Sequence, residues 1–303
     1  MRIKTTYAVR VTLASILLLG SSVCLAEIDS LALPPRAIDS KTGTQLHSTL
    51  SAMSRDAREN TVYQEVKHGN VPDFLRNMQP VNVSATIDGT QHKAVYYVTA
   101  EYVSLGSNDD YYRMPMTPIL GQWICDLTST TMPTRKMVND IWNAAPCKLS
   151  PQPIAPDAQM INEPRFWEHQ VMVQTSRNAN VLPLGTIVGG HKKDVVITMR
   201  LNETTHSSPR VFIYGWHYLS GNAIQPLSAA HESTYADYSH GIRLVNNEMT
   251  VDGTTTTVQA ILQDPKLHVL LSDEGVYNQK GLAYPVSAPP VSNCEDWMAS
   301  CTN

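Results

Sequence analysis

The sequence predicts an α+β fold with a mainly antiparallel sheet and with helices concentrated in the N-terminal half. Hairpin turn signals such as Asp88-Gly89 favour antiparallel strand pairs. Amphipathic helical spacing occurs mostly in the first half of the chain, and strand-like runs dominate after residue 165. This segregation of helices from strands argues against alternating βαβ units and for an α+β class.

A secretory signal peptide is expected at residues 1–26, because three basic residues precede a short apolar run and Ala26 ends a segment of small residues. The apolar run over 11–19 is far shorter than the roughly 20 residues that span a bilayer. We therefore expect an exported protein, periplasmic or extracellular, without a transmembrane segment. Loss of the three basic residues would change the net charge from −4 to −7. An acidic chain lacks the basic surface that nucleic-acid binding requires.

Four cysteines remain after the expected cleavage, and an even count in an exported protein favours disulfides. The spacing favours the pairs Cys125–Cys147 and Cys294–Cys301, although four cysteines allow three pairings. The chain then divides into a signal peptide, an N-terminal arm with helices, an α+β core domain and a disulfide-pinned tail. Their bounds are 1–26, 27–80, 81–281 and 282–303.

Helix signals come first along the mature chain. Thr42 and Gln45 have the spacing of a capping box ahead of an amphipathic run, and a second short helix is expected over 72–77. Two more helices, Pro118–Thr128 and Arg135–Ala145, follow threonine N-caps and carry apolar residues at helical intervals. The intervening segment 105–118 is interpreted as a solvated loop.

Strands are expected where β-branched or alternating apolar residues lie between turn signals. The first two form a hairpin around Asp88-Gly89, and a later turn signal is Asp252-Gly253. The predicted strands are 81–87, 94–103, 171–173, 195–201, 211–216, 242–245, 255–262 and 268–271.

One stretch, residues 211–245, concentrates the side chains that carry chemistry. A strand ending at Trp216 and another beginning at Ile242 would bring their ends to one cleft. The catalytic candidates there are His217, His231, Asp237, Ser239, His240 and Arg243, and the substrate-binding candidates are Trp216, Tyr235, Tyr238 and, from a glycine-rich turn upstream, Lys193.

Two versions of a hydrolytic site remain open. In the first, His191 and Asp194 join some of these histidines around one divalent metal such as zinc, whose bound water would be the nucleophile. In the second, Ser239 or a water attacks, a histidine acts as base, and Asp237 orients the imidazole. Arg243 would then stabilise an oxyanion or bind a substrate carboxylate.

The segment Ser239-His240-Gly241-Ile242-Arg243-Leu244 resembles the Ser-His-Gly-Cys-x-Arg signature of the L,D-transpeptidase family. That family also places a histidine at the end of an upstream strand, and His217 stands in a comparable place. The similarity covers about 35 residues and lacks the cysteine that should follow Gly241. The family's nucleophile is therefore missing, and its transfer chemistry does not carry over to this chain.

These observations favour an exported hydrolase that acts on a cell-wall or other extracytoplasmic polymer, as a peptidase, an amidase or a glycan-acting enzyme. The alternative is a non-catalytic glycan- or peptide-binding envelope protein, in which Tyr214, Trp216, Tyr218, Tyr235 and Tyr238 form a stacking surface. A purely structural envelope protein would need none of these polar residues in a pocket.

Overall fold

A computed structural model describes residues 29–203 and 205–290. The predicted signal peptide, its cleavage site and the Cys294–Cys301 pair lie outside the described residues. In the described part, no helix is long and apolar enough to cross a membrane.

The α+β class is confirmed: about 30% of the chain is helical and 23% is in strands. Seven α-helices occur in the described ranges, and the first five end before residue 145. The helices are α1 Gly43–Leu50, α2 Arg55–Lys67, α3 Asp73–Arg76, α4 Pro118–Thr128, α5 Arg135–Ala144, α6 Glu163–Asn178 and α7 Val258–Gln263. Because α6 crosses the middle of the chain and α7 lies near its end, the N-terminal concentration of helices fits only loosely.

Thirteen strands are present in the described part of the chain, most of them short and antiparallel. They are β1 Gln79–Ile87, β2 Thr90–Val98, β3 Ser104–Gly106, β4 Tyr111–Arg113, β5 Thr130–Thr131, β6 Cys147–Lys148, β7 Val188–Gly189, β8 Lys193–Val195, β9 Ile213–His217, β10 Ala223–Ser228, β11 His240–Gly241, β12 Val245–Val251 and β13 Thr254–Thr257. The larger sheet has the order β1-β2-β12-β13, with β5 paired to β12.

The smaller sheet, which positions the candidate site, has the order β10-β9-β8-β11. Strand β8 lies between β9 and β11 and pairs antiparallel with β9 but parallel with β11. The register places Lys193 opposite Gly215 on one side and opposite His240 on the other. The strands carrying His217 and His240 are therefore separated by β8 and do not meet end to end.

The best sequence predictions concern elements with local signals. The capping box of α1 is present, with Thr42 and Gln45 each bonded to the other's backbone amide. Helices α4 and α5 begin at the predicted residues after their threonine N-caps. The β1–β2 hairpin turns through Asp88 and Gly89, both with positive φ, as expected for this kind of turn.

Several predicted strands were wrong. The strand expected at 268–271 is a 3₁₀ helix, Leu267–Leu270, and the one expected at 242–245 falls between β11 and β12, because β12 begins only at Val245. The strand expected at 171–173 is part of α6, because the buried residues Phe166, His169, Gln170 and Val173 recur at helical spacing. The strand expected at 195–201 ends at Val195, and residues 255–262 change from β13 to α7 at Val258.

The segment interpreted as a solvated loop, 105–118, is mostly buried, and only the turn at 107–110 reaches the surface. It contributes β4, in which Tyr112 and Arg113 have almost no exposed surface. Strand β4 pairs with β3 and packs beside α6, so its polar side chains point into the protein.

The predicted Cys125–Cys147 disulfide is not formed. Both thiols are free and buried, Cys125 in the main hydrophobic cluster and Cys147 in a smaller one. The main cluster contains residues from Leu31 to Tyr284, so the N-terminal arm and helices share one core with the later strands.

Gly241 is a sensitive position of the smaller sheet. A Cβ atom there would lie 2.6–2.9 Å from three ring atoms of Tyr102, which is itself buried and bonded to Asp194. We expect Gly241→Ala to lower the free energy of unfolding by about 3 kcal/mol through overpacking. Urea denaturation measures this change. The control is Gly253→Ala in an open turn with positive φ, for which about 1 kcal/mol is expected. Equal costs would contradict the close packing of Tyr102 on Gly241.

Candidate functional site

Asp237 is the centre of the predicted catalytic residues that the structure brings together. Its Oδ1 accepts hydrogen bonds from the backbone N and the Oγ of Ser239, at 2.7 and 2.5 Å. Its Oδ2 accepts a longer hydrogen bond from the Tyr235 hydroxyl at 3.3 Å. The carboxylate is buried, so these three donors replace water around it.

His240 lies beside this carboxylate without a hydrogen bond of its own. Its side chain has no exposed surface, and neither ring nitrogen has a partner. Its Nε2 is 3.8 Å from Asp237 Oδ2, which is too long for a direct hydrogen bond. Burial lowers the pKa of His240 to about 4, although the charge of Asp237 acts in the opposite direction. The imidazole is therefore neutral at neutral pH, with both nitrogens available.

Two aromatic rings lie in sequence beside His240. Tyr235 is half-buried and meets His240 edge to face, with ring centroids 5.7 Å apart. His231 is exposed and stacks on Tyr235 at 3.9 Å. His231, Tyr235 and His240 thus form a line from the surface to the interior.

Lys193 supplies positive charge at the same place. Its Nζ lies 4.0 Å from Asp237 Oδ2 and 5.0 Å from the centroid of the Trp216 ring. Burial acts to raise the pKa of Asp237, but the positive charge that His240 carries when protonated, the charge of Lys193 and the hydrogen bonds from Ser239 bring it below its ordinary value. Asp237 is therefore an ionised carboxylate. We call His231, Tyr235, Asp237, Ser239, His240, Lys193 and Trp216 the Asp237 cluster.

His217 lies in different surroundings. Its Nε2 is 3.0 Å from Asn139 Oδ1, and its ring stacks on Trp142 with centroids 5.6 Å apart. Burial lowers the pKa of His217 to about 4. Because β8 lies between β9 and β11, the side chain of His217 packs against helix α5 and not beside Asp237 or His240.

Tyr238 and Arg243 bond to backbone in the interior. The Tyr238 hydroxyl donates to Ile154 O at 3.0 Å. The guanidinium of Arg243 donates to Thr99 O at 2.7 Å and to Val188 O at 2.6 Å, and it lies 4.4 Å from the centroid of the Tyr102 ring. Both side chains are buried, and their hydrogen bonds go to backbone carbonyls and not to Asp237 or Ser239.

The two candidate metal ligands belong to a separate buried network. His191 Nε2 lies 2.7 Å from Glu101 Oε1, and Glu101 Oε2 accepts a 2.8 Å hydrogen bond from Arg113. Asp194 Oδ2 accepts a hydrogen bond from the Tyr102 hydroxyl at 2.9 Å. The described residues contain no group of three His, Cys, Asp or Glu side chains that could hold a metal ion. His191 and Asp194 are therefore not assembled with a third ligand.

Several members of this network were not predicted as site residues from the sequence. Glu101, Tyr102 and Arg113 are all nearly fully buried, and Lys192 donates from Nζ to Tyr238 O at 2.6 Å. Burial lowers the pKa of Lys192 to about 7. The sequence offered one signal for these residues, the opposite charges of Glu101 and Arg113 next to strand-like runs. Charged residues are almost never fully buried unless they are paired, so two opposite charges beside buried strands indicate a buried ion pair.

Ile242 occupies the position of the cysteine in the L,D-transpeptidase signature. It has no exposed surface, and its side chain packs against Gly121 of α4. This position therefore contributes to the core and carries no reactive group.

No protein-family model, curated protein or solved structure matches the chain.

Asp194 makes the stability of the protein depend on pH. Burial raises its pKa to about 7, and the charge of Arg243 offsets this only in part. Between roughly pH 4 and pH 7 the folded state therefore binds more protons than the unfolded state, so stability falls as the pH rises. Asp194→Asn keeps the acceptor for Tyr102 and removes this loss. Between pH 4 and pH 8 the free energy of unfolding of Asp194→Asn should rise by on the order of 3 kcal/mol relative to that of the native protein.

Urea denaturation of both proteins at pH 4, 6 and 8 measures this difference, in which the other titrating groups cancel. The exposed Asp109 provides the control, because Asp109→Asn should follow the native protein at all three pH values. A constant difference between Asp194→Asn and the native protein would show that Asp194 keeps its ordinary pKa.

Proposed function

We propose that this protein is an exported hydrolase that cleaves amide bonds in a cell-wall or other extracytoplasmic polymer, with His240 as the group that moves the proton. The observation that carries the proposal is the fully buried His240, whose two ring nitrogens have no partner beside the ionised Asp237. Buried polar atoms in native proteins are nearly always hydrogen-bonded, and a role in catalysis is one of the explanations for an exception.

In the proposed step, His240 takes a proton from a water molecule while the water oxygen attacks the carbonyl carbon of the substrate. The tetrahedral oxyanion forms near Lys193 Nζ, and the imidazolium then gives its proton to the leaving nitrogen. The C–N bond breaks, and a carboxylic acid and an amine are released. Asp237, 3.8 Å from His240 Nε2, stabilises the imidazolium while it exists.

Ser239 has a different part in this proposal. Its hydroxyl and its backbone N–H both donate to Asp237 Oδ1, so it fixes the carboxylate and is not bonded to a histidine base. A serine nucleophile would need a hydrogen bond to such a base. Water is therefore the better nucleophile, with Ser239 and Tyr235 as positioning residues for Asp237.

An amide bond suits the Asp237 cluster better than a glycosidic bond. Most glycosidases flank the bond with two carboxyl groups, and the cluster contributes a single one, Asp237. The non-catalytic alternative has less support, because a stacking surface needs exposed rings. Of the five aromatic residues expected to form it, Trp216 and Tyr238 are buried, Tyr214 and Tyr235 are half-buried, and Tyr218 is exposed.

Substitution of His240 tests the proposal. Native protein, His240→Gln and Asp237→Asn are incubated in H₂¹⁸O with purified cell walls and with a peptide library, and mass spectrometry counts one ¹⁸O per hydrolysed bond. We expect loss of about 10²–10⁴-fold in His240→Gln, as for removal of a general base, and a smaller loss in Asp237→Asn.

The matched control is His92→Gln, because His92 also faces an aspartate, Asp252, at 2.7 Å but lies on the far sheet at the surface. It should retain the native rate. Circular dichroism and urea denaturation confirm that each variant is folded. No ¹⁸O incorporation by the native protein on any substrate, or equal incorporation by folded His240→Gln, would end the hydrolase proposal.

The rate should also report the low pKa of His240. The imidazole must be neutral to accept a proton, and burial lowers its pKa to about 4. We expect kcat/KM to stay constant from pH 7 down to about pH 5 and to fall with a one-proton limb near pH 4. A limb near pH 6.5, the ordinary value for histidine, would assign the base to a different or more exposed histidine.

A further inference from the structure

A groove adjoins the Asp237 cluster through Tyr235, which contributes to both. It has a volume of 280 Å³ and lies between the first turns of α2 and α6. Its lining residues are Met53, Ser54, Arg55, Arg58, Ile161, Asn162, Thr234, Tyr235 and Ala236. We call it the α2–α6 groove.

Arg58 is an unsatisfied cation in this groove. It is only 6% exposed, and its Nε has no hydrogen-bond partner. Among the described residues its guanidinium makes neither a hydrogen bond nor an ion pair. It lies 5.0 Å from the centroid of the Phe166 ring, and the charges of Glu59 and Glu163 act on it from a longer distance. A buried donor without an acceptor is costly, so the Nε of Arg58, together with terminal nitrogens that make no hydrogen bond within the described residues, is available to an anionic ligand.

The carboxylates near Arg58 make their hydrogen bonds to other residues. Glu59 accepts two hydrogen bonds from Thr117, both at 2.8 Å. Glu163 Oε2 lies 2.7 Å from His47 Nδ1, and its Oε1 has no partner. Neither approaches Arg58 within the 4.0 Å of an ion pair. Glu163 nevertheless lowers the local positive potential, so the groove favours a ligand that can use directed hydrogen bonds to the guanidinium.

The same groove receives two helix N-termini. Ser54 is the N-cap of α2, a helix of 13 residues, and Asn162 is the N-cap of α6, a helix of 16 residues. Asn162 makes no capping hydrogen bond with its side chain. Helix N-termini carry partial positive charge and favour anions. Arg55, although bonded to Asp56 and Thr234, adds a second guanidinium to the groove wall.

We infer that the α2–α6 groove binds the free C-terminal carboxylate of a peptide. The planar guanidinium of Arg58 matches a carboxylate through two parallel hydrogen bonds, and Met53, Ile161 and Ala236 offer an apolar wall to a small side chain. An acidic sugar fits less well, because sugars stack on free aromatic faces. The groove's ring, Tyr235, is stacked on His231 and meets His240 at its edge.

This inference rests on the proposed function for one point, that the bound peptide is the substrate. The Tyr235 ring then separates the bound carboxylate from His240, which places the scissile amide close to the peptide's C-terminus. The class of reaction would be removal of a C-terminal residue or of a short C-terminal fragment.

Binding tests the groove separately from catalysis. Acetyl-Ala-Ala-Ala with a free carboxylate and the same peptide as a C-terminal amide are titrated by calorimetry into His240→Gln, which retains the groove. We expect the free acid to bind at least about tenfold more tightly than the amide, as for loss of a charge-assisted hydrogen bond. Inorganic phosphate serves as a third probe.

The variant Arg58→Met, made in the His240→Gln background, should lose this preference for the free acid. Arg58→Lys keeps the charge and much of the packing but not the fork of donors, and it should bind the acid about tenfold more weakly. Arg135→Met, in a surface ion pair with Asp273, is the control and should bind as before. Urea denaturation establishes that each variant is folded.

Equal binding of acid and amide, tighter binding of phosphate than of peptide, or unchanged binding by folded Arg58→Lys and Arg58→Met would overturn the inference. So would the absence of binding at millimolar peptide. Preference for the acid without ¹⁸O incorporation by the native protein would support the groove and contradict the hydrolase. Hydrolysis by the native protein at equal rates for peptides with and without a free C-terminal carboxylate would support the hydrolase and contradict the groove.

Discussion

The structure depends first on a charge pair that is removed from water, Glu101 with Arg113. Burial would raise the pKa of Glu101, yet Arg113 and His191 hold it below its ordinary range. Gln170 accepts a further hydrogen bond from Arg113, so the pair joins β4 to α6 and to the segment before β8. A buried pair of this kind adds little net stability, but loss of one partner leaves a charge without compensation and is strongly destabilising.

The segment 191–194 carries this constraint to the candidate site. Its four consecutive side chains are directed to four different partners: His191 to Glu101, Lys192 to the backbone of Tyr238, Lys193 towards Asp237, and Asp194 to Tyr102. The position of β8 is thereby fixed on both faces of the smaller sheet. Because Lys193 and His240 are paired across β8 and β11, the same contacts determine where the imidazole lies.

The sequence predicted correctly those elements whose signals lie within a few residues of one another. Threonine caps and apolar spacing placed α1, α4 and α5, and the grouping of His231, Asp237 and His240 was predictable because ten residues contain them all. The position of His217 was not predictable from the sequence, because it depends on β8 lying between two strands that the sequence suggested were adjacent. Arg58 lies over 170 residues before Asp237, and only tertiary packing shows that its Nε has no hydrogen-bond partner.

The ring of Tyr235 is held less firmly than the backbone around His240. The backbone around His240 is tied into a parallel strand pair and a buried network, whereas Tyr235 is held by one long hydrogen bond and by stacking on an exposed ring. Side-chain rotations of partly exposed residues occur in picoseconds to nanoseconds, and opening of packed strands takes far longer. In the proposed hydrolase, a rotation of the Tyr235 ring would therefore be a much faster route to His240 than the opening of a domain or loop.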